Sequence, residues 1–438
     1  MTKEELLEKK ISAISLGCDK NRVDLEKMLF KLKDQGFQIV EDPLEANVVI
    51  INTCAFILPA KQESISQIIE MEFLKKHNKI DKIIVTGCFP ERNFDELKQN
   101  FPSVDAFVRV KDNDSIASII AQTYEATLDP KSHSGRVITT PGSYAYLKIA
   151  DGCNNACSYC AIPRIRGRYK SAPIEQLIKE AEEIVKQGVK ELILVAQDTS
   201  RYGEDIYGEN KLIPLCKKLV KIKGLEKIRL HYLYPEKLTD ELLEFIASEE
   251  KICKYIDIPL QHIDNKILES MRRRLGEVDT RELIKKIKTN YPQLAIRTTF
   301  IVGYPGETSK QFKNLLKFIN EVKFDYAGFF PYYREENTAS YFMKNQISNF
   351  TKLRRLKKAR KAQALISYNK AKQNILKEVY ALVDGFDEGS GYYLAHTDKL
   401  SPGVDFGLKI SGENLSVGDF VKVKITSFDG ENYGGEKQ

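Results

Sequence analysis

Six of the eight cysteines in this chain stand where thiolates can act as metal ligands. Cys153, Cys157 and Cys160 share one short loop, Gly152-CNNACSYC, with C-x3-C-x2-C spacing. Three thiolates on one loop can take three corners of an iron–sulfur cube and leave the fourth iron open to bind something else. A zinc knuckle or chance clustering is the alternative, but zinc sites usually close with a fourth Cys or His nearby, and none follows within the loop. Cys18, Cys54 and Cys88 lie far apart, yet each ends an apolar run: ISLGC, VVIINTC and VTGC. If those runs are parallel strands, their carboxyl ends share one sheet edge, where ligands gather, and the three thiols converge there. The competing interpretation is three core cysteines, a common fate for a free thiol. Three in register favour a second cluster, again with one open iron. Cys216, inside the helical pattern LIPLCKKLV, and Cys253, just before a strand, read as core residues. The histidines at 77, 133, 231, 262 and 396 form no pair at ligand spacing, and His77, His133 and His396 read as structural.

The elements that must position these thiols follow from periodicity. Over residues 1–125, short apolar runs (Ile11–Leu16, Val48–Ile51, Ile83–Val85) alternate with helical patterns such as Val23–Leu32, ended by Gly36. That alternation predicts a doubly wound α/β domain with a parallel sheet. Residues 126–142 have linker composition. From Tyr144 six further strands are expected: Tyr146–Ala150, Leu192–Gln197, Ile228–Tyr232, Tyr255–Leu260, Ile296–Val302 and Tyr326–Phe330. Separated by amphipathic helices, they predict an incomplete (β/α)6 barrel over 143–378, with its loops at the strand C-termini free for chemistry. Polar residues end three of these strands: Gln197-Asp198, then Pro259-Leu260-Gln261-His262, then the turn Gly303-Tyr304-Pro305-Gly306-Glu307. Gln197, Asp198, Gly303, Pro305 and Gly306 are therefore candidates for cofactor binding, the glycines because a ligand can approach their backbone closely. His262 is a supporting candidate, either for substrate positioning or merely as the residue that terminates a strand. Lys148 and Arg166 flank the cysteine loop and could neutralise negative charge there, or serve as ordinary ion-pair members.

A length of 438 residues suggests about three domains. With 42% hydrophobic and 29% charged residues, the chain can bury real cores. Neither a membrane span nor an apolar signal segment is evident, so cytoplasm is the expected location, with no membrane partner. The net charge of +7 is unevenly placed. Residues 351–377 hold ten Lys or Arg and no acid, on an expected helix with Leu353, Leu356, Ala359, Ala362 and Leu365 at threefold spacing. Residues 379–438 hold five Lys against ten Asp or Glu, a balance of −5, and read as short glycine-punctuated strands of a small antiparallel, OB-like barrel.

CNNACSYC, preceded by YAYLKIADG and followed by AIPRIRG (161–167), resembles the signature of the radical S-adenosylmethionine enzymes. Together with the three N-terminal cysteines and a final 60 residues similar to a TRAM domain, it identifies the chain as a member of the radical S-adenosylmethionine methylthiotransferase family. The segments QDTSRYGED (197–205) and PLQH (259–262) resemble the branch that modifies ribosomal protein S12. The resemblance implies that Cys153, Cys157 and Cys160 hold a 4Fe–4S cluster that binds and reductively cleaves S-adenosylmethionine. It implies that Cys18, Cys54 and Cys88 hold an auxiliary 4Fe–4S cluster carrying the sulfur. The implied reaction is β-methylthiolation of an aspartate of S12, using two S-adenosylmethionine per turnover and an electron donor such as a flavodoxin or ferredoxin. Asn337, where glycine is expected, and Ala395-His396-Thr397, where a Gly-Arg pair is usual, depart from the pattern. The alternatives are methylthiolation of a tRNA adenosine and, less in keeping with the motifs, a zinc-dependent RNA-binding protein. An acidic tail attracts a basic ribosomal protein and repels tRNA; the basic helix before it is either a solvated face or a contact to ribosomal RNA.

Overall fold

The computed structural model describes residues 1–129, 131 and 133–438, and the chain divides into two compact units. The first comprises Met1–Thr139 with Gly152–Asn154 and Cys160–Arg168; the second comprises Thr140–Asp151, Asn155–Tyr159 and Tyr169–Gln438.

The first unit is built on a five-stranded parallel sheet in the order Gln38–Ile39, Lys10–Ser15, Val48–Thr53, Lys82–Gly87, Ala106–Phe107. The central strand Val48–Thr53 is buried along its whole length. Alternation divides its side chains between two cores: Val48 and Ile50 pack on one face with Leu25, Met28 and Ile120, Val49 and Ile51 on the other with Ile68, Met71 and Phe89. The helix Asp19–Gln35 stops at Gly36, whose φ of 112° is the left-handed conformation expected there. The outer two-residue strands were not among the expected ones. In the segment 126–142, expected as a linker, Pro130 and Ser132 lie outside the described residues, and buried Arg136 pairs with Glu26.

The second unit carries the six expected parallel strands in two sheets, Lys227–Leu230/Glu191–Val195/Tyr144–Lys148 and Tyr255–Gln261/Ala295–Val302/Tyr326–Pro331. A parallel bridge from Ile228 to Ile252 and a hydrogen bond from the Leu233 N–H to the Asp257 carbonyl (2.8 Å) join them into the incomplete barrel. Amphipathic helices such as Ile174–Lys186 and Ser309–Val322 cover the sheets, the latter opened by a capping box between Thr308 and Gln311.

The basic segment is a helix, Asn349–Lys372, but its buried face differs from the threefold stripe. Leu353 and Leu365 are 59% and 63% exposed, while Leu356, Ala359, Gln363 and Ile366 face inward. A row of every third residue winds around a helix of 3.6 residues per turn, so the true stripe alternates steps of three and four. Glu378–Asp387, Tyr392–Thr397, Gly407–Ser411, Phe420–Phe428 and Asn432–Lys437 close into the expected small barrel. One neighbouring pair, Gly407–Ser411 with Asn432–Lys437, runs parallel; the other pairings are antiparallel.

That barrel is anchored at the N-terminal ends of the parallel strands by buried charge. Glu191 accepts from Arg229 Nε at 2.7 Å and lies 3.1 Å from His396 Nε2, whose Nδ1 is 2.8 Å from Asp384. Arg229 also donates to the carbonyls of Thr397 and Asp398. His396 is thus structural, as its sequence context suggested. Among the described residues, no helix is long and apolar enough to cross a membrane.

Candidate functional site

In the first unit the three N-terminal cysteines end three adjacent strands. Cys18 caps the helix after Lys10–Ser15, Cys54 directly follows Val48–Thr53, and Cys88 opens the helix after Lys82–Gly87. The strands are parallel and in register, Ser15 opposite Asn52 and Thr53 opposite Gly87, which carries all three thiols to one sheet edge. They sense one another there. Burial, then the charges of Cys88 and Cys18, push the Cys54 thiol up to about 12. Burial also raises Cys88, with Cys18 adding and Arg166 opposing. Such thiols stay protonated until a metal takes the proton's place.

Two asparagines hold this edge together. Asn21 Nδ2 donates to the carbonyls of Leu16 (2.8 Å) and Thr53 (3.2 Å), and Asn52 Nδ2 donates to the Asn21 carbonyl (2.7 Å). The other amide atom of Asn52, Oδ1, is buried without a hydrogen-bond partner, a cost proteins rarely leave unmet away from a functional site. Gly87 has φ +95°, and a Cβ there would collide with the Thr53 carbonyl and stand 2.6 Å from Asn52 Oδ1. Gly87→Ala is therefore expected to cost about 1–3 kcal/mol or more, since strain and collision combine. Gly208→Ala, with φ +76° and open space around it, is the control that carries strain alone. Equal thermal destabilisation of the two variants would remove the crowding at Gly87 from the account.

The C-x3-C-x2-C loop follows the strands Tyr144–Lys148 and Ala150–Asp151. Cys153 and Cys157 are buried and Cys160 is half-buried. Within the first unit, the Cys153 N–H donates to the Gly167 carbonyl (3.1 Å), and Ala161 and Ile165 pack into the core beside Val85 and Phe89. Within the second, Asn155 Nδ2 donates to Asp198 Oδ2 at 2.7 Å, tying the loop to the end of the second strand. Asp198 also accepts from Ser200; burial pushes its carboxyl up, and the Ser200 and Asn155 bonds oppose that rise. Gln197 donates to Asp151 at 3.1 Å. Cys157 Sγ lies 3.9 Å from both the Tyr234 hydroxyl and Arg273 Nη1, while Arg273 stacks on the Tyr234 ring at 4.3 Å. Sequence reasoning missed Arg273, Tyr234 and Asn155. Asn155 could have been found, since it sits inside the cysteine motif; nothing distinguishes Arg273 within its run of three arginines.

The remaining candidates separate. His262 is fully buried, with Nδ1 accepting from the Asp264 N–H (3.0 Å) and Nε2 facing Glu307 (3.4 Å). Glu307 in turn accepts from the Gly303 N–H and from Arg355. At Gly303 the space a side chain would need is filled by Lys352, whereas at Gly306 it is open. Pro305 and Gly306 line an open cavity of about 950 Å³ together with Lys266, Lys310, Lys313 and Lys344. Lys148 pairs with Asp151 at 2.9 Å. Arg166, in the first unit, pairs with Asp24 and donates to Cys88 Sγ at 3.3 Å. Cys216 and Cys253 are core residues, although Cys253 donates to Glu191 at 3.6 Å. Among the described residues no three ligating side chains stand close enough to share one metal ion. A four-iron cube offers each thiolate its own iron and requires no such closeness.

The chain is similar to known proteins over most of its length. Residues 10–109 match the uncharacterized protein family UPF0004, and residues 147–319 match the radical SAM superfamily. The ribosomal protein uS12 methylthiotransferase RimO of Thermoanaerobacter sp. (strain X514) is 45% identical over 95% of this chain and 97% of its own. The corresponding enzyme of Geotalea uraniireducens (strain Rf4) is 41% identical over 96% of each. Among solved structures, the radical S-adenosylmethionine methyltransferase TsrM from Kitasatospora setae aligns with a TM-score of 0.54 at 13% identity, over 74% of this chain and 73% of that one. The cobalamin-dependent S-adenosylmethionine radical enzyme OxsB aligns with a TM-score of 0.51 at 11% identity, over 89% and 64%. At such identities these two share the fold alone. The full-length relatives go further, and the chain belongs to the RimO family of radical SAM methylthiotransferases.

Proposed function

We propose that this chain methylthiolates the β-carbon of an aspartate in ribosomal protein S12, using two 4Fe–4S clusters and two S-adenosylmethionine per product. The observation that carries the proposal is the convergence of Cys18, Cys54 and Cys88 at one edge of a parallel sheet, in a chain that also has the C-x3-C-x2-C loop. When bound, these groups supply one-electron cleavage of one S-adenosylmethionine, hydrogen abstraction from the aspartate and the sulfur that is delivered, methylated by the second.

The protein's part is to hold and orient. Cys153, Cys157 and Cys160 would ligate one cluster and Cys18, Cys54 and Cys88 the other, each set leaving one iron free of protein. Asn155 and Asp198 fix the first loop to a strand end, and Gln197, through Asp151, steadies the strand on which that loop is hung. Arg273, nearly buried beside Cys157, offsets the negative charge of a thiolate-ligated cluster. An electron donor of the flavodoxin or ferredoxin type completes the requirement. The acidic barrel suits a basic ribosomal protein. The basic helix presents Arg354, Lys357, Lys358 and Lys361 to solvent, a surface suited to ribosomal RNA beside the substrate.

The test is expression of this gene in bacteria lacking their own enzyme, followed by mass spectrometry of S12 and of tRNA nucleosides from the same cells. A methylthio increment on an S12 aspartate is expected. An increment on adenosine alone would transfer the substrate assignment to tRNA and leave the basic helix, not the barrel, as the docking element.

A further inference from the structure

Arg166 lies six residues beyond Cys160, and its sequence position suggests service to that cysteine loop. Its side chain goes elsewhere. Nη1 pairs with Asp24, while Nη2 donates to Asn21 Oδ1 (2.9 Å) and to Cys88 Sγ (3.3 Å). The guanidinium is 2% exposed and Asp24 is 8% exposed, so water does little to screen either. All four residues belong to the first unit. Asn21 is also the residue whose amide bridges the strand ends carrying Cys18 and Cys54. One fixed fork thus connects the strand-end scaffold to the third thiol.

We propose that Arg166 is a positioning residue for the auxiliary cluster, oriented by Asp24 and Asn21, and that its N–H···S bond to Cys88 raises the cluster's reduction potential. This rests on the assignment of Cys18, Cys54 and Cys88 as ligands. A reduced cluster carries one more negative charge than an oxidised one, so a donor and a positive charge at a ligand sulfur favour reduction. Asp24 tempers the effect: its carboxylate fixes the fork and cancels part of the field that reaches the sulfur. Lysine cannot substitute, because one ammonium on a flexible stem does not serve three acceptors in a plane.

Two substitutions therefore have opposite signs. In full-length protein carrying Cys153→Ala, Cys157→Ala and Cys160→Ala, the auxiliary cluster is the only one left, and its midpoint potential and electron paramagnetic resonance spectrum can be read without interference. Arg166→Gln is expected to lower the potential and move the spectrum of the reduced cluster while four irons per chain remain bound. Asp24→Asn is expected to raise it, and Arg166→Lys to recover only part of the Arg166→Gln shift. Unchanged potentials and spectra at full iron load in both variants would overturn the proposal. If Arg166→Gln fails to hold iron, the sign of the Asp24→Asn shift decides, and a downward or absent shift overturns it. A parent triple variant that holds no iron would instead remove the ligand assignment itself, a failure visible before either substitution is made.

Discussion

Replacing Cys18, Cys54 or Cys88 by alanine is expected to take methylthio transfer below detection while S-adenosylmethionine is still cleaved, read as 5′-deoxyadenosine. Replacing Cys153, Cys157 or Cys160 is expected to abolish both products. The asymmetry follows from where the thiols lie. The strand-end set belongs to a sheet whose two cores lie around Leu25 and Ile120 on one face and Ile68 and Phe89 on the other; the second also takes in Ala161 and Ile165, whereas the cysteine loop's polar tethers at Asn155, Asp198 and Tyr234 belong to the second unit. Loss of Cys54 removes a buried thiol without disturbing those polar tethers. Reconstituted wild type should hold about eight irons and eight sulfides per chain, and each triple variant about four. Anaerobic assays with chromatography and mass spectrometry of an S12 peptide and of the nucleoside measure both products in one reaction. Full methylthiolation by the Cys54→Ala variant would remove the strand-end thiols from the mechanism. Zinc in place of iron in the reconstituted protein would remove both clusters.

The strand-end positions of Cys18, Cys54 and Cys88 were legible because their signal is local. A run of β-branched residues ending in cysteine declares both the strand and the place of its last side chain, and parallel pairing then needs only register, seen between Ser15 and Asn52 and between Thr53 and Gly87. The six later strands and the tail barrel were legible for the same reason. What escaped is what depends on distant partners. The strands Gln38–Ile39 and Ala106–Phe107 are too short to show a period and exist because a longer neighbour offers them hydrogen bonds. The inward face of Asn349–Lys372 includes Arg355 and Gln363, polar residues that pattern alone assigns to solvent. They are buried because Glu307 and the carbonyl of Phe324 satisfy them. Arg166 reads as a companion of the cysteine loop until the fold carries it to Cys88. Asn21 and Asn52 carry no chemistry in sequence; their role appears only when three strand ends meet.

Glu191→Ala is expected to loosen the C-terminal barrel more than any single apolar truncation within it, because it leaves two buried cations without their shared anion. Burial works against the Glu191 carboxylate, yet Arg229 and His396 together hold it well below the usual range. Removing one member of a buried ion group typically costs about 3–5 kcal/mol, much of it the penalty of the charge left behind. Since about 1.4 kcal/mol is tenfold in an equilibrium, hydrogen exchange of amides in Glu378–Asp387 and Tyr392–Thr397 should speed up at least about a hundredfold in the full-length variant. The double variant Glu191→Leu/Arg229→Met, which removes opposite charges together, should lose less than the single one. The same group sets a pH dependence. Burial disfavours the His396 imidazolium, but Glu191 and Asp384 overcome it and lift the ring to about 9. A value raised above that of the unfolded chain, about 6.5, means that the contribution is complete below pH 6.5 and disappears as pH rises through about 9. Exchange in the two barrel strands, corrected for its intrinsic pH dependence, should therefore accelerate between pH 7 and 9.5 in the wild type and stay level in His396→Gln. A level wild-type profile would mean that His396 is neutral in the fold and that its charge plays no part in holding the barrel.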